Sequence, residues 1–310
     1  MQAGDTPKND KWSKWLVQTR FANGKDTEGA LEVLKRLRDS LLEKARVKEG
    51  MTLLDVGAGD GFVAFGALNK LGPTGKVILV DISEPLLERA REAAGQMDAL
   101  QQCTFVKARA EDLPLRDESV DIVTTRSVLI YVDDKARALR EFYRVLRRGG
   151  RIALFETVHL PTLQRAGEKW PGVGWAWYSS EALEPISDLI ARYMAGLAPA
   201  IRASASIARS DHCDYLHLCE DVGFADIEVQ LHLSSQKIKS TLETFMNQSP
   251  NPHFPTPAEQ MDKIFTPEER QRFLDHMRRL VEQEGGVARW GGVYICAQKP
   301  TISPEPSTDG

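Results

Sequence analysis

The sequence predicts an α/β protein, a doubly wound and mostly parallel sheet with helical additions. Three observations predict it. Short apolar runs alternate with amphipathic stretches between residues 50 and 158. The first run ends in a glycine-rich turn, and acids stand just beyond the first three runs or within that turn. A strand–helix–strand order requires crossover connections, which are right-handed and leave the strands parallel.

The elements follow in order. Residues 52–56 form a short apolar run that leads into the glycine turn and read as a buried strand. Residues 77–80, 104–107, 120–125 and 151–155 read the same way, giving five strands. Ser83 is placed to cap a helix, with Pro85 in its first turn, and Leu86, Leu87 and Ala90 then share a face. Residues 134–147 set Leu139, Phe142, Tyr143 and Leu146 at helical spacing, and Gly149 is a suitable stop. Late in the chain, 226–233 alternates as a strand with one wet face, and 292–298 reads as a final strand. Two stretches interrupt this pattern. Residues 157–210 carry Trp170, Trp175, Trp177 and Tyr178 and a helix near 183–194. Residues 235–286 carry Pro250, Pro252, Pro255 and Pro257, then a helix over 267–282.

Composition limits the partners. With 42% hydrophobic and 27% charged residues the chain is ordinary for a globular protein. A net charge of −4 creates no general attraction for nucleic acid. The basic cluster Arg144, Arg147, Arg148 and Arg151 suits a helix end. No apolar run approaches the roughly 20 residues that span a bilayer, and the first residues are polar, so a cytoplasmic protein with no membrane partner is expected. The cysteines Cys103, Cys213, Cys219 and Cys296 include no CxxC pair. Although His212 and His217 interleave with two of them, no metal is expected.

The most informative segment is D-x-G-x-G-x-G: Asp55, Gly57, Ala58, Gly59, Asp60 and Gly61 around Val56. Glycines let backbone approach a nucleotide closely. A dinucleotide turn would read G-x-G-x-x-G, but Phe62 stands at the third glycine position. Asp81, at the end of the second run, stands where nucleotide folds place the acid that bonds ribose hydroxyls. Asp112, after the third, is positioned for an adenine edge. Together these strand ends outline a crevice at the carboxyl edge of a sheet.

Four blocks carry a family resemblance: LLDVGAGDG at 53–61, VILVDIS at 77–83, ARAEDLPLRDESVDIV at 108–123 and EFYRVLRRGGRIALFE at 141–156. The chain resembles class I S-adenosylmethionine-dependent methyltransferases, especially the branch related to the ubiquinone/menaquinone-biosynthesis C-methyltransferases. The resemblance implies a Rossmann-like, seven-stranded, mostly parallel sheet with an antiparallel last strand, consistent with five early strands and two late ones. It implies S-adenosyl-L-methionine as cofactor. The chain then divides into an N-terminal helical lid (1–49), the donor-binding core (50–158), an aromatic-rich cap insertion (159–212), continued core (213–234), a helical insertion (235–290), the last core strand (291–299) and a disordered tail (300–310).

The resemblance also implies roles. Gly57, Gly59 and Gly61, with Asp55 and Ala58 in the same turn, would line the methionine and ribose portion. Asp81 would bond the ribose and Ile82 would pack on adenine. Asp112 would take the adenine amino group, with Ala110 and Glu111 beside it. Arg126 follows the fourth strand, where relatives contact the methionine part with a small or amide residue. An arginine there is a departure suited to the methionine carboxylate or a substrate anion. Relatives often carry a histidine shortly after this strand, whereas SVLIYVDD has none.

Methyl transfer needs an in-line acceptor and a base only when the nucleophile loses a proton. His159, Glu156 and His212 are the candidate catalytic residues. Trp12, Trp15 and Leu16 share a helical face that either docks on the core or closes as a lid, in which case Arg20 reaches the methionine carboxylate. Tyr131, Trp170, Trp175, Trp177 and Tyr178 are candidates for the acceptor pocket. The expected activity is O-, C- or N-methylation of a small molecule, with a homodimer left open. Two alternatives are a nicotinamide-dependent oxidoreductase, which Phe62 argues against, and a catalytically inactive donor-binding interaction protein.

Overall fold

The structure is a computed structural model that describes residues 10–19, 27–158, 178–203, 212–249 and 252–301. The chain opens with a short helix α1 (Lys11–Lys14), capped by Asp10 and continued by a π-helical turn, Trp15–Thr19. Helix α2 (Thr27–Lys44) follows. Then strand and helix alternate: β1 (Thr52–Val56), α3 (Phe62–Leu71), β2 (Lys76–Asp81), α4 (Glu84–Gln96), β3 (Cys103–Lys107), β4 (Val120–Arg126), α5 (Lys135–Val145) and β5 (Leu146–Val158). The first insertion holds α6 (Ser180–Leu183), α7 (Ser187–Gly196) and α8 (Ala198–Ala203). Helix α9 (His212–Val222) and β6 (Ala225–Ile238) return to the core. The second insertion holds α10 (Leu242–Asn247), α11 (Pro257–Ile264) and α12 (Pro267–Arg278), and β7 (Gly286–Gln298) ends the sheet.

The sheet order is β3-β2-β1-β4-β5-β7-β6. Strands β1 to β5 pair in parallel, and β7 runs antiparallel between β5 and β6. The expected mostly parallel sheet with an antiparallel last strand is therefore present. A separate two-residue bridge, Arg109 to Asp112, lies outside these strands. Burial explains the winding. Leu41, Leu42, Val63, Ala67, Leu87 and Ala90 from α2, α3 and α4 pack on Leu53, Leu79 and Ile122. Leu139, Phe142, Tyr215 and Cys219 from α5 and α9 pack on Leu54, Val123 and Leu154 of the other face. Both faces are covered, so the central strands bury apolar residues on each side of the sheet.

The two insertions share a third core of their own, in which Tyr178, Leu189, Tyr193, Phe245, Met261, Phe273 and Met277 meet. They form one helical cap rather than two appendages. Capping boxes at Thr256–Glu259 and Thr266–Glu269 start α11 and α12. Segment ends depart from the sequence reading. Helix α5 stops at Val145 because Leu146 already pairs with Val120, and Gly149, at φ 76°, bends the strand rather than ending the helix. Among the described residues no helix is long and apolar enough to cross a membrane.

Candidate active site

The chain reaches β3 through β1 and β2, then crosses back to set β4 beside β1. That reversal opens a crevice at the carboxyl ends of β1 and β4, where open α/β sheets bind ligands. A cavity of about 530 Å³ occupies it. Val56 and Gly57 line it from the end of β1, and Asp81 and Ile82 from the end of β2. Ala108, Arg109, Ala110 and Glu111 follow β3, while Ser127, Val128, Tyr131, Val132 and Asp133 follow β4. Lys11 and Trp12 of α1 close the cavity with His253 of the second insertion.

The glycine turn is shaped by its dihedrals. Gly57, Gly59 and Gly61 have φ of 67°, 58° and 88°, where a side chain is strained. A Cβ on Gly57 would stand 2.3 Å from Cγ2 of Val128, so glycine here allows the loop after β4 to close against the turn. Leu16 lies over Gly59, 3.3 Å from the position of an added Cβ. The N-terminal segment thus lies on the turn. Ser127 also has positive φ, 56°, beside the cavity, and its N–H donates to the Phe155 carbonyl at 2.7 Å.

Asp81 joins two strand ends. Its Oδ2 accepts from the Gly59 N–H and its Oδ1 from the Ser83 N–H, each at 2.8 Å. Burial pushes its carboxyl above the ordinary range, against these backbone donors. Ile82 beside it is 43% exposed, an apolar side chain left uncovered within the cavity. Glu111 is buried and pairs with Arg109 at 2.9 Å. A buried carboxylate, a bare apolar side chain and a glycine-shaped turn fit a nucleoside.

Of the expected site residues, Asp55, Ala58, Gly59, Gly61, Asp112, Arg126, Glu156 and Tyr178 do not line the cavity. Asp55 is buried beneath the turn, with Oδ1 accepting from the Thr124 hydroxyl at 2.9 Å and Oδ2 from the Ala64 N–H at 3.2 Å. Gly61 offers α3 no side-chain cap, so Asp55 supplies one from β1. Burial pushes its carboxyl up to about 7. Asp112 is exposed and does not line the cavity, because the turn after β3 directs Ala110 and Glu111 inward instead. Tyr178 is buried in the cap core, 6.5 Å from Phe245 by ring centroids, and does not line the cavity.

Glu156 is fully buried and holds the loop after β4. It accepts from the Thr125 hydroxyl and from the N–H groups of Val128, Leu129 and Ile130, at 3.0 to 3.2 Å. Burial raises its pKa while these donors lower it. Arg126 lies against the glycine turn outside the cavity lining, its guanidinium 5.6 Å from the Phe62 ring centroid. Burial lowers its pKa, and the nearby charges of Asp60, Asp55 and Glu156 oppose that. Arg20, His159, Trp170, Trp175 and Trp177 lie outside the described residues, as does the His212 side chain at the start of α9.

Sequence reasoning missed His253, Asp133, Ser127, Arg109 and Lys11 as cavity residues. His253 lies among the prolines of the second insertion, where no periodicity points inward. The missing histidine after β4 and the presence of this one were the available signal.

The fold, with a methyltransferase-domain match over part of the chain, makes the protein similar to class I S-adenosylmethionine-dependent methyltransferases. Residues 54–154 match the family model described as a methyltransferase domain. The chain is 29% identical over 197 residues to the ubiquinone/menaquinone biosynthesis C-methyltransferase UbiE of Escherichia fergusonii, covering 64% of this chain and 66% of that one. It is 31% identical over 176 residues to the UbiE protein of Escherichia coli O1:K1, covering 57% and 61%. The chain therefore spans less than two thirds of the length of these relatives. The YcgJ protein from Bacillus subtilis has a similar fold, with a TM-score of 0.51 and 18% identity over 85% of this chain and 97% of that one.

Proposed function

We propose that the chain transfers a methyl group from S-adenosylmethionine to a small-molecule acceptor held beneath the cap. The observation that carries this reading is the meeting of Asp81, uncovered Ile82 and the Gly57 turn in one cavity. When bound, the donor supplies an electrophilic methyl group. Asp81 bonds the ribose hydroxyls, and Ile82 and Ala110 pack along adenine with Glu111 at its edge. Arg126 stands behind the glycine turn, near the charges of Asp60, Asp55 and Glu156, and adds positive charge on the side of the methionine carboxylate. Tyr131 and Trp12 border the acceptor. Glu156 acts by positioning, since it fixes the loop that carries Tyr131. The four free cysteines suit a reducing compartment such as the cytoplasm.

The relatives' names supply an acceptor class, quinone-type rings methylated at carbon. The cap is large enough to choose a different acceptor, so the ring is the part of that likeness carried over here. The test is S-adenosylhomocysteine release, followed by mass spectrometry, from full-length protein given the donor and a panel of small hydroxylated, amine and thiol acceptors. Acceptor-dependent release supports the reading; binding of the donor with no release from any acceptor favours an inactive donor-binding protein.

A further inference from the structure

Three aromatic rings from remote parts of the chain meet at the cavity. Trp12 comes from α1, Tyr131 from the loop after β4 and His253 from the second insertion. The Trp12 and Tyr131 centroids are 5.0 Å apart at 76°. His253 lies 6.2 Å from Trp12 at 87° and 6.3 Å from Tyr131 at 32°. Two of these pairs are edge-to-face and the third is tilted, so the three rings form an aromatic corner of the cavity. The arrangement is held from behind. The Trp15 indole N–H donates to the Ser249 carbonyl at 2.9 Å, the Ser249 hydroxyl donates to the Phe254 carbonyl at 2.8 Å, and Lys14 lies 3.6 Å from Glu259. Residues on both sides of His253 are therefore tied in place, and to the helix that carries Trp12.

Resting on the methyl-transfer reading above, we propose that His253 is the general base for an aromatic acceptor, removing the proton of a ring hydroxyl. Trp12 and Tyr131 hold the ring, and Lys11 stabilises the oxygen as it becomes anionic. The O–H bond breaks toward an imidazole nitrogen. The oxygen lone pair forms the O–CH₃ bond while the S–CH₃ bond breaks, its electron pair going to sulfur, so the sulfonium becomes a neutral thioether. The imidazolium then loses its proton to water.

The surroundings suit this role. Burial and the Lys11 ammonium hold the His253 imidazole below its ordinary pKa, so it is neutral and able to accept a proton near pH 7. Lys11 forms no ion pair among the described residues, and its Nζ lies 5.0 Å from the Trp12 ring centroid. The other charged or titratable groups facing the cavity are Tyr131 and Asp133 beyond β4, Arg109 and Glu111 beyond β3, and Asp81. Arg109 and Glu111 are paired to each other, whereas Lys11 lies over the Trp12 ring at the cavity.

The test is imidazole ¹H–¹⁵N NMR on the full chain saturated with S-adenosylhomocysteine, with catechol as the probe and His253→Gln to assign the resonance. The expected result is that His253 titrates below an ordinary histidine and shifts when catechol is added. With the donor and catechol, His253→Gln and His253→Phe should both lose about 100-fold or more in kcat, the range of general-base effects. Donor KM should be unchanged, and the acid limb of the pH profile should disappear. Wild-type turnover in His253→Phe would assign the residue to packing and overturn the proposal. Intact S-adenosylhomocysteine binding with a His253 resonance that ignores catechol would overturn it alone. Failure to bind S-adenosylhomocysteine would overturn the donor reading, and this proposal with it.

Discussion

Asp81 and Asp55 are both strand-end acids lifted by burial, yet they face different partners. Asp81 opens on the cavity, whereas Asp55 is occupied by Thr124 and Ala64. Asp81→Ala should therefore weaken S-adenosylhomocysteine binding by about 1.5–3 kcal/mol, the worth of a hydrogen bond to a charged group. Calorimetry on the folded variant reads this, and an unchanged affinity would leave Asp81 as a turn residue. Asp55 should show itself in stability instead. Its native carboxyl is raised to about 7, while in the unfolded chain it titrates near 3.9. Between these values the native state holds a proton that the unfolded state has lost. The stability it contributes is full below about pH 4 and is lost as pH rises through about 7. The melting temperature of Asp55→Asn relative to wild type should thus rise between about pH 4 and pH 7 and level off above that, and a constant difference would contradict the assignment. The glycine turn and Asp81 were legible because they follow a strand end directly in sequence. Asp112 was not, because only the folded turn after β3 decides that Glu111 faces inward and Asp112 faces water.

The loop after β4 depends on one buried carboxylate. Glu156→Ala would strip the acceptor from three backbone N–H groups and a hydroxyl, each costing about 1–3 kcal/mol if left unpaired. A loss on the order of 3 kcal/mol in denaturant unfolding is expected. Glu156→Gln, which keeps one acceptor oxygen, should lose less. In the cap, Tyr178→Ala should cost about 3–5 kcal/mol, as for other buried aromatics, while S-adenosylhomocysteine affinity stays within twofold of wild type. A selective loss of donor affinity would return Tyr178 to the pocket. Strands β1 to β4 could be read from their apolar runs because both faces of the sheet are covered. The far ends of β6 and β7 could not. Ser234 to Ile238 pair with Trp290 to Gly286 as an extended ladder without the alternating apolar pattern that marks a half-buried strand.

The molecule sets the N-terminal helix and the second insertion together at the cavity on the carboxyl edge of the sheet. Lys11 and Trp12 meet His253 over the cavity, and Trp15 reaches Ser249. This meeting was not legible, since contacts between residues more than 200 positions apart leave no local pattern. The four sequence blocks did reveal the sheet and its switch point, because close backbone approach at a strand end constrains neighbouring residues in sequence. The central claim is that this cavity takes S-adenosylmethionine. Isothermal titration of the full-length chain with S-adenosylhomocysteine, and separately with NAD, tests it most directly. Saturable one-site binding of S-adenosylhomocysteine with no heat from NAD is the predicted result. Binding of NAD with no response to S-adenosylhomocysteine would contradict it.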